Sequence, residues 1–288
     1  MEKFDIYEMV TDRIIEELEN GSIPWKKPWF GRMNGAISYT TQKPYSFINQ
    51  IMIGESGEYI TFNQVKKLGG KVNKGAKSKV VVFWKIYKKT ETDASGKEKD
   101  ISIPVLKYYR VFNINDCTGI KAKHDFTAPP QEVSRDAQAE LIYNNYINRY
   151  NITFKHEAGN SAYYRPSTDE IVLPMLDQFE KTPEYYSTLF HELTHSTGHE
   201  KRLNRPQASR LDKQAYAKEE LIAEIGASAL VNLCGLETDD SFQNNTAYIQ
   251  SWLKALQNDK KLIVSASGKA DKAVTMILGE DEADEDEA

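Results

Sequence analysis

Apolar side chains at Phe4, Tyr7, Val10, Ile14, Ile15 and Leu18 recur at helical spacing, and Asn20-Gly21 supplies a stop, so the chain opens on an amphipathic helix. The pattern then breaks. Pro24-Trp25-Lys26-Lys27-Pro28-Trp29 carries two prolines that cannot sit inside a helix, which predicts an extended loop displaying two indoles and two ammonium groups. Tyr45 to Ile53 and Thr61 to Leu68 predict short helices, the second capped by Thr61 and ended by Gly69-Gly70. Val80 to Tyr87 and Val105 to Phe112, rich in β-branched and aromatic residues, predict two strands joined by the polar stretch Thr90 to Asp100 as a loop. Residues 1–125 therefore make an α+β domain.

Pro129-Pro130 marks a linker over residues 126–133. Beyond it, Ala137 to Tyr150 predicts a helix, and Ile152 to Phe154, Ala162 to Tyr164 and Glu170 to Leu173 predict short strands. Three longer helices follow over Pro183 to His199, Tyr216 to Cys234 and Ser241 to Leu256. Strands followed by helices indicate a second α+β domain over residues 134–279. Residues 280–288 are a block of like charge, expected to stay solvated and disordered. A chain of 288 residues is long enough for two such domains, each with its own core.

Composition narrows the class. With 40% hydrophobic and 27% charged residues, the chain can bury real cores. No long apolar run and no basic cap ahead of an apolar stretch is present, so neither a membrane span nor an export signal is expected. Cys117 and Cys234 lie far apart in different segments, which fits a reducing cytoplasm rather than a disulfide framework. The net charge of -5 conceals an asymmetry: Trp25 to Lys89 holds thirteen lysines and arginines against two acids, Glu55 and Glu58, while the residues after His124 are net acidic.

The chemistry concentrates in His191-Glu192-Leu193-Thr194-His195. Residues four apart share a helix face, so His191 and His195 can bind one ion while Glu192 sits beside it as a base. A catalytic zinc takes three protein ligands and keeps one position open. His199 is the nearest further histidine, but a continuous helix rotates it about 80° from His191. The metzincin pattern needs histidine at the position held by Lys201. Glu220 and Glu224, four apart on the next long helix, match the gluzincin arrangement, in which one acid is a ligand and the other orients a ligand histidine. Glu220 is assigned as the ligand and Glu224 as the orienting acid, with the reverse assignment, or Glu219, left open. One zinc per chain is expected, and another divalent ion such as manganese would suit the same donors.

The basic half has a different signature. Lysines interleaved with aromatic rings are what single-stranded nucleic acid requires, cations for phosphates and flat surfaces for bases. Trp25, Lys26, Lys27, Trp29, Tyr45, Lys71, Lys74, Lys77 and Trp84 are the candidate contacts. Against this, lysines commonly form a plain solvated face and tryptophans more often fill cores.

Several stretches carry a resemblance. Asp5 to Ile15, Pro24 to Trp29, Lys43 to Asn49, Thr61 to Gln64, Gly69 to Gly75 and Val111 to Asn113 resemble the N-terminal domain of ArdC-type antirestriction proteins of conjugative plasmids. Ala162 to Tyr164, His191 to His199, Arg202 to Asn204 and Tyr216 to Ala227 resemble that family's zincin-like metallopeptidase domain. The resemblance implies a domain that binds single-stranded DNA, then a metal-binding domain, together protecting incoming mobile DNA from restriction. It carries the metal residues onto His191, His195 and an acid of the Glu219 to Glu224 cluster, with Glu192 as catalytic base. The N-terminal domain also resembles one found in plasmid primases. Two functions follow as alternatives: a zinc peptidase acting on an unknown peptide or protein, or a non-catalytic DNA-binding protection protein with a structural or vestigial metal site.

Overall fold

The computed structural model describes residues 5–20, 23–26, 35–92, 98–124, 126, 135–159, 161–179, 181–205, 213–236 and 246–280. Helix α1 (Ile6–Glu19) begins where the Asp5 carboxylate accepts the Tyr7 N–H, and it buries the stripe Val10, Ile14 and Leu18. After a single 3-10 turn at Pro24–Lys26 come β1 (Ala36–Ser38), α2 (Phe47–Ile53), β2 (Gly57–Thr61), α3 (Phe62–Lys67) and β3 (Lys71–Val72). A reciprocal cap between Thr61 and Gln64 starts α3. The long hairpin β4 (Lys79–Thr92) and β5 (Glu98–Asn113) follows, then β6 (Cys117–Thr118).

The main sheet has the order β1-β2-β5-β4, with β1 and β2 parallel and the other pairs antiparallel. Two buried amides on α2 tie the helix to it. Asn49 bonds both backbone groups of Val82 on β4, at 2.8 and 2.7 Å, and Gln50 bonds both of Ala36 on β1, at 2.9 and 2.6 Å. The Asn49 amide takes the place of a strand neighbour at Val82, while the Ala36 carbonyl also accepts the Tyr45 N–H at 3.0 Å.

The hairpin extends beyond the expected strands, since its ladder runs to Thr92 opposite Glu98 and leaves a much shorter connection than Thr90 to Asp100. From Lys85 to Thr90 its residues are exposed, so polar side chains cost the ladder nothing there.

The second half contains α4 (Arg135–Tyr150), then β7 (Thr153–His156), β8 (Tyr163–Arg165) and β9 (Glu170–Leu173) in the order β7-β9-β8. Helices α5 (Thr182–Ser196), α6 (Lys213–Leu233), α7 (Thr246–Asn258) and α8 (Leu262–Leu278) complete it. Helix α5 stops three residues short of the expected His199, and α8 has no counterpart among the elements read from the sequence. Most of the expected linker and the acidic residues 281–288 lie outside the described residues. No helix among the described residues is long and apolar enough to cross a membrane.

The architecture is α+β in two domains, but their cores are not separate. Val10, Ile14, Leu18, Trp25, Ile48 and Ile51 belong to one apolar cluster with Leu221, Ile225, Trp252, Ile263 and Val274. Helix α1 packs on α7, and α2 packs on α8. The Thr11 hydroxyl donates to the Lys260 carbonyl at 2.7 Å, and Lys260 pairs with Glu8, pinning α1 to the α7–α8 turn. Two smaller clusters, one around Tyr59 and Val111 and one around Ile60 and Val65, belong to the N-terminal half alone.

Candidate metal centre

Helix α5 enters the core with Leu189, Phe190 and Leu193 fully buried, which leaves His191 and His195 on the face turned toward α6. Their Nε2 atoms stand 3.0 Å apart. From α6, the Glu220 carboxylate approaches both, 3.5 Å from His191 Nε2 and 3.4 Å from His195 Nε2. These three residues can offer ligand atoms all within 4.8 Å of one another. Donors around a tetrahedral zinc, at about 2.0 to 2.1 Å from it, stand about 3.3 Å apart. The donor set therefore fits such an ion in type and in spacing.

Each imidazole also has a carboxylate at its other nitrogen. Glu224 lies 3.6 Å from His191 Nδ1, and Glu219 lies 3.5 Å from His195 Nδ1. Carboxylates in these places orient ligand histidines and favour the tautomer that leaves Nε2 free to bind. The geometry thus separates the three acids that the sequence left open: Glu220 faces both Nε2 atoms, while Glu219 and Glu224 each back one ring. Glu192 is buried beside them, 7% exposed, and its charge acts on both imidazoles.

Electrostatics point the same way. Burial alone would lower the pKa of both imidazoles, but Glu220 and Glu224 outweigh it and raise that of His191. Glu219 and Glu220 push His195 up to about 10. Burial favours the protonated form of Glu220, yet the two imidazoles hold its carboxyl well below the usual carboxylate range. Four buried or half-buried acids, Glu192, Glu219, Glu220 and Glu224, thus surround two histidines, with Arg205 the buried cation beside them. A divalent cation offsets that surplus negative charge.

His199 takes no part. It sits in the turn after α5, where its Nδ1 accepts the Lys201 N–H at 3.1 Å. Arg202, which the sequence offers only within the resembling stretch Arg202 to Asn204, and Arg205, which it does not single out, brace the end of α5. Arg202 donates to the Ser196 carbonyl at 2.7 Å and grips Asp169 in the turn between β8 and β9. Arg205 donates to the Thr194 carbonyl at 2.9 Å and to the Thr197 hydroxyl at 2.7 Å. Both reach the helix through tertiary contacts, for which the sequence carries no periodic signal.

The proposed DNA contacts fare unevenly. Trp25 is fully buried, its ring edge-on to Trp252 at a centroid distance of 5.5 Å, so it is a core residue and not a stacking platform. Trp84 is half-buried and packs against the large cluster, its ring centroid 6.3 Å from that of Tyr7 on α1. Tyr45 packs on the cluster around Tyr59, and burial pushes its hydroxyl pKa up. Indoles and tyrosines of a small sheet domain go inside because burying a large ring stabilises more than displaying it. Lys71, Lys74 and Lys77 are exposed, as expected. Lys27, Trp29 and the Lys26 side chain lie outside the described residues. Among the described residues, the large exposed aromatic side chains are Phe62, Tyr87 and Tyr108, with the Lys66 ammonium 4.9 Å above Phe62.

Comparison with known proteins places this arrangement. Residues 4–112 match the N-terminal domain of anti-restriction factor ArdC, and residues 142–269 match a zincin-like metallopeptidase domain. The crystal structure of metal-free antirestriction protein ArdC from plasmid R388 is 36% identical and superposes with a TM-score of 0.73 over 95% of this chain and 97% of that one. The chain belongs to the ArdC antirestriction family. The manganese(II)-bound structure of the same R388 protein is 34% identical, with a TM-score of 0.74 over 96% of this chain and 98% of that one. An Escherichia coli DNA primase TraC is 33% identical across 96% of this chain, which spans 27% of the primase. A second TraC is 33% identical too, and the chain spans 20% of it. The uncharacterized protein y4eC of Sinorhizobium fredii is 29% identical over 92% of this chain and 89% of its own length.

Proposed function

We propose that this ArdC-family chain binds single-stranded DNA through its N-terminal half and hydrolyses a peptide bond in its C-terminal half, protecting mobile DNA from restriction in the cytoplasm. The carrying observation is the convergence of His191, His195 and Glu220, with Glu219 and Glu224 behind the imidazoles and Glu192 alongside. This is a gluzincin arrangement, and zinc is the expected ion, with the manganese of the R388 relative supporting a divalent site. When bound, zinc supplies a Lewis acid that polarises a carbonyl and lowers the pKa of water to about 7.

The chain's own residues do the rest. His191, His195 and Glu220 would hold the ion, and Glu219 and Glu224 stand behind the two rings at Nδ1 to fix their orientation. Glu192 takes the proton of the attacking water and returns it to the leaving amine. Burial of this group on α5 excludes bulk water from the proton it carries.

The test is Glu192→Gln beside His191→Ala and Glu220→Ala, with metal content read by elemental mass spectrometry and hydrolysis read on a peptide library. About one zinc per chain is expected in wild type and Glu192→Gln, and none in the other two variants. Peptide products are expected from wild type alone. If Glu192→Gln shields a conjugating plasmid from restriction as well as wild type, the peptidase account of protection fails. The chain is then a non-catalytic DNA-binding protection protein whose metal is structural.

A further inference from the structure

Arg205 joins the candidate metal centre to the end of its own helix. Its side chain is 5% exposed, and all three of its nitrogens donate. Nε donates to Glu219 Oε2 at 3.2 Å and Nη2 to Glu219 Oε1 at 2.7 Å, a two-pronged grip that fixes the carboxylate plane. Nη2 also donates to the Thr194 carbonyl at 2.9 Å, and Nη1 to the Thr197 hydroxyl at 2.7 Å. The Glu219 oxygen that accepts Nη2 is the one standing 3.5 Å from His195 Nδ1. The two imidazoles are therefore unequally supported. Among the described residues, no lysine or arginine pairs with Glu224, the acid behind His191.

We infer that Arg205 is a positioning residue for the metal site, acting through Glu219 to hold His195 with its Nε2 facing the ion. The inference rests on the metal reading above. A free glutamate carboxylate can swing about its three side-chain torsions and present either oxygen, or neither, to the ring. One held by a guanidinium fork presents the same oxygen at all times, so His195 meets the ion already oriented and in one tautomer. Glu219, which by sequence competes with Glu220 as a ligand, stands on the Nδ1 side of His195, and Arg205 engages both its oxygens there. A lysine in its place keeps the charge and loses the fork.

The experiment uses the full chain with Arg205→Lys, Glu219→Gln and the double variant. Zinc affinity is measured by chelator competition, the visible absorption of the cobalt(II) form is recorded at saturation, and thermal unfolding of the metal-free chain serves as the structural control. Each single variant is expected to bind zinc about 10 to 100-fold more weakly. The double variant is expected to bind no more weakly than the worse single, because both substitutions break one chain of contacts. The cobalt spectrum of Arg205→Lys is expected to shift, since the His195 ring is no longer fixed. A residue that only braced the end of α5 would lower the unfolding temperature of Arg205→Lys while leaving zinc affinity and cobalt spectrum as in wild type. That result, or wild-type binding in Glu219→Gln, overturns the inference alone. Failure of wild type to bind zinc or cobalt overturns the metal reading and the inference together.

Discussion

A Cβ built on Gly226 would stand 2.8 Å from both Oγ1 and Cγ2 of Thr194, closer than real side chains pack. Thr194 is fully buried on α5 between His191 and His195, and Gly226 lies two residues beyond Glu224 on α6. This contact sets how near α6 can bring its acids to the imidazoles. Gly226→Ala forces the helices apart, an overpacking cost of about 1 to 3 kcal/mol, partly offset by about 1 kcal/mol of helix propensity. We expect weaker zinc binding in this variant and a net loss of metal-free stability of up to about 2 kcal/mol. Gly268 on α8 is the control, because a Cβ there meets nothing within 4 Å. Gly268→Ala should stabilise by up to about 1 kcal/mol and leave zinc affinity unchanged. Urea unfolding and zinc titration of both variants check this, and unchanged zinc affinity in Gly226→Ala would refute the spacing argument.

The Asp169 to Arg202 pair predicts a particular acid sensitivity. Burial would raise the Asp169 pKa, but the Arg202 guanidinium and the Tyr164 hydroxyl, donating at 2.9 Å, outweigh it and lower that pKa. A depressed folded-state value means that the carboxylate stabilises above its unfolded pKa of about 3.9. The contribution is lost as pH falls below that value and through the folded-state pKa. Asp169→Asn should thus flatten the decline in metal-free stability below about pH 4. At pH 7 it should cost about 2 kcal/mol or more, since Arg202, with a side chain 1% exposed, loses its charged partner. Equal acid slopes for wild type and variant in urea unfolding would show that the pair does not carry this sensitivity.

The site was more legible in the sequence than the packing around it. His191 and His195 were readable because a four-residue spacing on a helix is a local consequence of 3.6 residues per turn. The Glu220 and Glu224 spacing was readable for the same reason, but local periodicity could not say which acid faces both Nε2 atoms. That depends on how α6 is rotated against α5, where Gly226 meets Thr194. Trp25 was misread because flanking prolines signal a loop while its burial is decided by Trp252, far along the chain. Helix α8 was missed because Ser265, Ser267 and Gly268 dilute its apolar stripe, although Leu262, Ile263, Ala266, Ala270, Ala273, Val274 and Ile277 keep helical spacing.

The shared core makes the N-terminal half a poor independent unit. A fragment of residues 1–125 would expose Val10, Ile14, Leu18, Trp25, Ile48 and Ile51 where α7 and α8 now cover them. At about 1.5 to 3 kcal/mol for each large side chain uncovered, the loss is on the order of 10 kcal/mol, comparable with the whole stability of an ordinary domain. We expect the fragment to bind a hydrophobic dye and to unfold without a sharp transition. Cooperative two-state unfolding of the fragment would show that the interface is dispensable.

DNA binding must then be tested on the full chain, and the structure separates two kinds of residue for that test. Lys71, Lys74 and Lys77 are exposed on β3 and the segment after it, where ammonium groups can meet phosphates. If each contacts one phosphate, replacing all three by alanine should reduce the salt-dependence slope of single-strand binding by about 2, from about 0.7 per contact. Affinity should fall most at low salt. Trp25→Phe should leave that binding unchanged, because the indole never faces solvent, while lowering stability through the space left beside Trp252. An unchanged salt slope in the lysine variant would remove these lysines from the interface. Weaker binding by a fully folded Trp25→Phe would mean that the N-terminal half rearranges on DNA to present the ring.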